Sequence, residues 1–384
     1  MDAVNDTFRD MSEFQRTRLA ASENSRALPT PQFWHDPRTL KVLGMGTALP
    51  GPSVSTSELL EKIEDRFGID VTRRGTALAD RLKIATRHLC RDFEARQEVP
   101  RAGDSNPDLA AVAIRKALEE AHLNVNDLAY LIGHTTTPAC LVPPNIALVA
   151  DRLGFAGPYM ELRQACTGFA NALVIAQGLA SLPESKPVVI VGSETGSVYF
   201  DPERAGADSS QLVNLVMMGD GAAAVVIGPD DTKPCARISN NFFGQIGLGR
   251  SPGFALTAGG SDRPFLEGGS LEFEHHYAAV RTGGPELFFH GAEAARALGI
   301  SAETVDHVIP HQANGSMAEL LGPFLGIEPS HVFVNADRIG NTGSAAIWLA
   351  LAELRSSLEP GESVLALGAE ATKYMFGGFH YVHE

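Results

Sequence analysis

The sequence predicts an α/β protein made of two similar halves, with two stacked sheets sharing a central layer of helices. Three observations carry this. Short β-branched apolar runs alternate with longer stretches of helical periodicity, the pattern of α/β layers. Three motifs of the first half recur in the second, in the same order and at nearly the same intervals. The chain has 384 residues, 44% hydrophobic and 20% charged, which is long and ordinary enough for a large buried core.

Taken in chain order, residues 1–38 are polar and mixed in charge and end in "LPTPQFWHDP". They read as an extension with one short helix and with Trp34 anchoring it to the body. "TLKVLGMGTALPGP" (39–52) reads as a buried strand running into a Gly/Pro turn. "DSNPDLAAVAIRKALEEAHLNVND" (104–127) has a polar start and apolar residues at helical spacing, so it reads as an amphipathic helix. "LAYLIGHTTT" (128–137), "KPVVIVGSET" (186–195) and "GDGAAAVVIG" (219–228) read as apolar strands. Residues 242–286, rich in glycine and polar side chains, read as irregular loops over a site.

The second half then repeats the first. "VDHVIPHQAN" (305–314) echoes "NDLAYLIGHTTT", "IGNTGSAAIWLALAEL" (339–354) echoes "QACTGFANALVIAQGL", and "SVLALGAEAT" (363–372) echoes "PVVIVGSETG". His134 to Cys166 spans 32 residues and His311 to Asn341 spans 30; Cys166 to Gly192 spans 26 and Asn341 to Gly368 spans 27. Three pairs in register argue for internal duplication, with Cys166 and Asn341 at equivalent helix starts. The expected division is an extension (1–38), a first half (39–230) and a second half (231–384).

The formal net charge of −15 argues against general binding to nucleic acid or anionic membranes, which select Lys/Arg stripes. The N-terminus lacks the apolar run of a signal peptide, and no stretch approaches eighteen uninterrupted apolar residues. Cys90, Cys140, Cys166 and Cys235 are widely spaced, with no C-x-x-C pair and no histidine cluster at zinc spacing, so a reducing cytoplasm is the expected compartment.

Chemistry centres on three residues. Cys166 precedes an apolar helix, whose unpaired N–H groups and partial positive charge stabilise a thiolate, giving the expectation of a lowered pKa. Thr167 and Gly168 are expected to keep the approach to its sulfur open. A small buried core thiol would look the same locally. His311 sits in a polar turn emerging from an apolar strand, as a hydrogen-bonded turn histidine also would. Asn341 opens an apolar helix, which capping alone could explain. Together they suit thioester chemistry: cysteine accepts an acyl group, while His Nε2 and the Asn amide donate to a thioester oxygen as negative charge develops.

"ACTGFANAL", "HVIPHQAN" and "ADRIGNTGSAAIWLAL" resemble the three signature segments of β-ketoacyl-acyl-carrier-protein synthase III and its thiolase-fold relatives. "MMGDGAAAVVIG" resembles that family's GDGAGA strand, and "DRLKIATRHLCRDFE" its strand and turn near the acyl-donor entrance. The resemblance covers about residues 40–384. It implies the thiolase fold, a duplicated five-layer αβαβα architecture. It also implies a homodimeric acyltransferase that performs ping-pong Claisen condensation on acyl carrier protein or coenzyme A thioesters, without metal or redox cofactor. Cys166 is then the acylated nucleophile and the donor of one oxyanion-hole N–H, and His311 and Asn341 bind the extender thioester. Phe169 becomes a candidate wall of the acyl tunnel, with plain core packing as the alternative.

The departures from the family pattern bear on substrate. "TRRGTALADRLKIATRH" (72–88) offers Arg81 where the family usually has a tryptophan and an Arg-Thr-Gly-Ile run at the coenzyme A entrance. Residues 297–337 contain no Lys or Arg, so Arg296 and Arg338, which flank the gap, are the candidate carrier-binding cations. "ALGAEATKYMFGGF" replaces the usual glycine-rich turn, so the second oxyanion donor is sought between Gly368 and Lys373. The stretch 242–269 is expected to cap or widen the substrate cavity. These features suggest a secondary-metabolism branch that joins two preformed acyl chains, of the dialkylresorcinol or cyclohexanedione kind. Acyl transfer to an oxygen or nitrogen nucleophile and a non-catalytic partner subunit are the alternatives.

Overall fold

The computed structural model describes residues 32–93, 100–182, 184–228, 234–256, 258–261 and 273–384. The short helix expected in the extension lies outside the described residues. The strands are β1 (Phe33–Asp36), β2 (Leu40–Ala48), β3 (Ser53–Ser55), β4 (Thr86–His88), β5 (Tyr130–His134), β6 (Tyr159–Leu162) and β7 (Val188–Glu194). They continue with β8 (Gly221–Gly228), β9 (Ala236–Gln245), β10 (Phe254–Ala255), β11 (Glu274–His275), β12 (His307–Pro310), β13 (Ser363–Glu370) and β14 (Met375–His383).

One set of strands runs β6-β5-β7-β8-β2 and the other β12-β13-β14-β9-β1. The start of β2 joins them by pairing Leu40–Val42 with β9. The duplication shows in the pairing itself. Within β5-β7-β8-β2 the contacts are parallel, antiparallel and antiparallel, and β12-β13-β14-β9 repeats that series.

The helices are α1 (Thr56–Phe67), α2 (Thr72–Leu82), α3 (Asn106–Glu120), α4 (Asn145–Leu153), α5 (Gly168–Ala180), α6 (Pro202–Ala205) and α7 (Ser209–Met217). α8 (Tyr277–Ala297), α9 (Met317–Leu325), α10 (Ala336–Ile339) and α11 (Ala346–Leu354) complete the set. α5 and α11 form the middle layer. Both are apolar nearly all round because both faces meet a sheet. Phe169 of α5 meets Trp348 of α11 and Phe379 of β14 edge-on, at ring separations of 6.0 and 5.6 Å. α3 and α4 cover the outer face of the first sheet, and α8 and α9 that of the second, which completes the five layers of the thiolase fold. A fourth apolar cluster gathers α1, α2 and α7 into a cap.

Two expectations need correction. The start of the body is held by β1, whose Phe33 ring meets Phe242 at 6.4 Å, while Trp34 on the opposite face of the strand is 42% exposed. The described parts of the stretch 242–286 are less irregular than its composition implies. β9 continues to Gln245, and α8 begins at Tyr277 despite Gly283, Gly284 and Pro285, because Leu287, Phe288 and Ala294 give it a buried face.

Candidate active site

Cys166 lies in the turn between β6 and α5, two residues before the first helical residue. The turn is closed by Gly168 N–H donating to the Ala165 carbonyl at 2.9 Å. The Thr167 side chain is fully buried, and a Cβ on Gly168 would stand 2.5 Å from Nδ1 of His134. Neither residue therefore serves to open the approach to sulfur. The glycine instead lets α5 sit on the His134 ring, and the threonine hydroxyl bonds inward to Glu370 at 2.7 Å.

His311 follows β12, its N–H donating to the Leu367 carbonyl at 2.7 Å. Burial pushes its imidazole down to about 4, so it is neutral near pH 7. Its Nδ1 is buried with no hydrogen-bond partner among the described residues. Asn341 precedes α11 by five residues and is not its cap. It bridges to Met218, its N–H donates to the Met217 carbonyl at 2.9 Å, and its own carbonyl accepts from Gly219 at 3.0 Å. The side-chain Oδ1 accepts the Gly343 N–H at 3.1 Å, which fixes the amide. Gly343 has φ +52°, and a Cβ there would stand 2.8 Å from Cγ of Glu194, so glycine is required.

Cys166, His311 and Asn341 line one apolar cavity of about 540 Å³. Met217 and Met218 form one wall, α8 and α9 another; Phe254 comes from the stretch expected to cap it, and Phe273 follows that stretch. Arg81 lines the cavity too, at the end of α2. Phe169 and Gly368 do not. Phe169 is fully buried in the middle layer, and Gly368 of β13 faces its ring, where a Cβ would stand 2.7 Å away. Both are packing residues. Arg296 pairs with Glu293, and Arg338 with Glu353 at 2.7 Å and Asp337 at 3.6 Å; neither lines the cavity.

Two buried carboxylates at the site were not singled out from the sequence. Glu370, at the end of β13, accepts from the N–H of Thr167 at 3.0 Å and of Ala165 at 3.4 Å. Glu194, at the end of β7, accepts from the Thr136 N–H at 3.0 Å and from the Thr137 and Ser344 hydroxyls. They end the two echoing strands "VVIVGSE" and "SVLALGAE", and that repeat was the available signal. The expected low thiol pKa is overturned: burial first, and then the nearby Glu370 and Glu194, push the Cys166 thiol well up. Burial likewise raises Glu194. Among the described residues no group of three or more acidic, histidine or cysteine side chains is placed to hold a metal, and no helix is long and apolar enough to cross a membrane.

Residues 160–245 match the family model for 3-oxoacyl-[acyl-carrier-protein (ACP)] synthase III, and residues 295–375 match that for its C terminal. A β-ketoacyl-[acyl-carrier-protein] synthase III of Nitratidesulfovibrio vulgaris is 33% identical over 277 residues, 68% of this chain and 80% of the relative. One of Oleidesulfovibrio alaskensis is 29% identical over 337 residues, 84% of this chain and 93% of the relative. The structure of AbyA1, a tetronic acid condensing enzyme, superposes with a TM-score of 0.78 at 27% identity, over 89% of this chain and 99% of that one.

Proposed function

Because this chain belongs to the β-ketoacyl-[acyl-carrier-protein] synthase III family and is an acyltransferase of Claisen condensation, we propose that Cys166 carries the acyl group and that His311 and Asn341 bind the extender. The observation that carries this reading is the convergence of the three side chains, from two halves of the chain, on one apolar cavity.

In the first half-reaction the Cys166 sulfur attacks the carbonyl carbon of an acyl thioester. The new C–S bond forms, the donor's C–S bond breaks, and the cysteine proton ends on the departing thiol. The Cys166 N–H, which has no acceptor besides its own sulfur among the described residues, donates to the oxyanion. In the second, a malonyl-type thioester loses carbon dioxide and the electron pair moves onto its carbonyl oxygen. Neutral His311, protonated on Nε2, and the Asn341 Nδ2 amide donate to that oxygen. The enolate carbon attacks the acyl-cysteine, a C–C bond forms, and the Cys166 thiolate leaves.

The donors are thioesters of acyl carrier protein or coenzyme A, entering past Arg81 and Lys83 into a chiefly apolar chamber. The enzyme is cytoplasmic and acts as a homodimer. In support of the dimer, β6 ends its sheet with no further strand paired to it among the described residues, and Leu141 and Val142, 59% and 85% exposed, precede the helix packed beside it.

Mass spectrometry of the intact protein after incubation with acyl thioesters tests the site. An acyl mass on Cys166, absent in Cys166→Ala and retained in Asn341→Ala without release as a condensed product, is the expected result. Native protein that gains no acyl mass from any thioester would overturn it.

A further inference from the structure

Glu370, the last residue of β13, is a buried acid that touches the nucleophile turn on both sides. Glu370 comes from the second half of the chain and Cys166 from the first. Its two oxygens accept from Ala165 N–H, Thr167 N–H and the Thr167 hydroxyl, and Thr372 donates its hydroxyl from the other side. The residue is essentially unexposed. The carboxylate thus occupies the amides immediately before and after Cys166 and leaves the Cys166 N–H, among the described residues, with no acceptor besides its own sulfur.

We propose that Glu370 is a positioning residue, a clamp between the two halves that fixes the Cys166 turn so that the Cys166 N–H is aimed at the developing oxyanion. The inference rests on Cys166 being the acyl acceptor. Three considerations support it. A backbone turn of this kind needs its flanking N–H groups satisfied, because buried unpaired donors are costly. A carboxylate accepts several such bonds at once, where a neutral glycine turn accepts none with a side chain. The arrangement also has a cost that a merely structural acid would avoid, since a negative group beside the sulfur opposes thiolate formation. A clamp that aims the amide compensates for that cost only in a reaction that passes through an oxyanion.

Two reactions at the same sulfur separate this role from general support. Acylation by a thioester forms a tetrahedral oxyanion; alkylation by iodoacetamide does not. In Glu370→Gln, which keeps the shape but replaces one acceptor oxygen with a donor and removes the charge, acylation of Cys166 is expected to slow by about tenfold or more. Alkylation is expected to hold its rate or increase, with its pH midpoint moved downward. Parallel loss of both rates, or unchanged acylation, would overturn the clamp. If that variant fails to fold, Thr167→Val removes the hydroxyl bond to Glu370, together with the acceptor that hydroxyl offers Gln164 Nε2 at 3.0 Å, and keeps the carboxylate and both backbone bonds. Acylation is then expected to slow severalfold with alkylation unchanged, and equal acylation would sink the idea. Native protein that no thioester acylates discards the site reading itself, whereas normal acylation in Glu370→Gln discards the clamp alone.

Discussion

The side-chain Oδ1 of Asn341 accepts the Gly343 N–H at 3.1 Å, so the end of the amide left for chemistry is the Nδ2 donor. Asn341→Asp keeps the acceptor for Gly343 but cannot donate, and its charge opposes an enolate. Condensation is expected to fall about 10²–10³-fold, the cost of losing one oxyanion donor, while acylation of Cys166 persists. Stopped turnover with accumulated acyl-enzyme, seen by mass, is the readout; undiminished product would count against the assignment.

His311 is held near 4 by burial, so in the proposed role it would act as a neutral ring. Transfer from preloaded acyl-enzyme to a malonyl-type thioester is therefore expected to show no His311 titration between about pH 5 and 8, and to lose rate only as the ring charges at lower pH. A single-turnover pH profile with a midpoint near the ordinary histidine value of about 6.5 would contradict this.

Stability should carry the same signature. His134, buried beneath Gly168 and accepting the Trp348 indole N–H at 3.3 Å, is pushed down to about 3. Its folded pKa lies below its unfolded value of about 6.5, so the unfolded chain takes up the proton first as pH falls. The contribution of the neutral ring is complete above pH 6.5 and is lost on the way down towards the folded value. Melting temperatures measured between pH 7 and 4 should fall less steeply in His134→Gln, which retains an acceptor for Trp348.

Phe169 fills the middle layer against Trp348 and Phe379 and does not reach the cavity. Phe169→Ala is expected to cost about 3–5 kcal/mol of stability, read by denaturant unfolding. Phe169→Leu should lower the melting temperature while leaving the order of preference among acyl chain lengths unchanged. A reordered preference would return Phe169 to the tunnel wall.

The legible parts share one property, a repeating local signal. The echoes of "LAYLIGHTTT" in "VDHVIPHQAN" and of "QACTGFANAL" in "GNTGSAAIWL" made duplication, the apolar strands and the two middle-layer helices readable, because burial on both faces leaves an unbroken apolar run. Cys166, His311 and Asn341 stood out at matching points of those echoes. The sequence by itself therefore determined the layers and named the three side chains.

The tertiary structure decided what surrounds them. His134 and His311 occupy matching positions, yet one is sealed under Trp348 and the other opens on the cavity, a difference made by residues two hundred positions away. Phe169 and Gly368 read as site residues only until the middle layer put one against the other. The thiol was expected to be acidified by its helix, and burial, with two carboxylates from strand ends remote in sequence, reverses that. Periodicity reports which face of an element is apolar. Electrostatics and packing at a site depend on distance in space, and no spacing along the chain encodes the approach of Glu370 to Cys166.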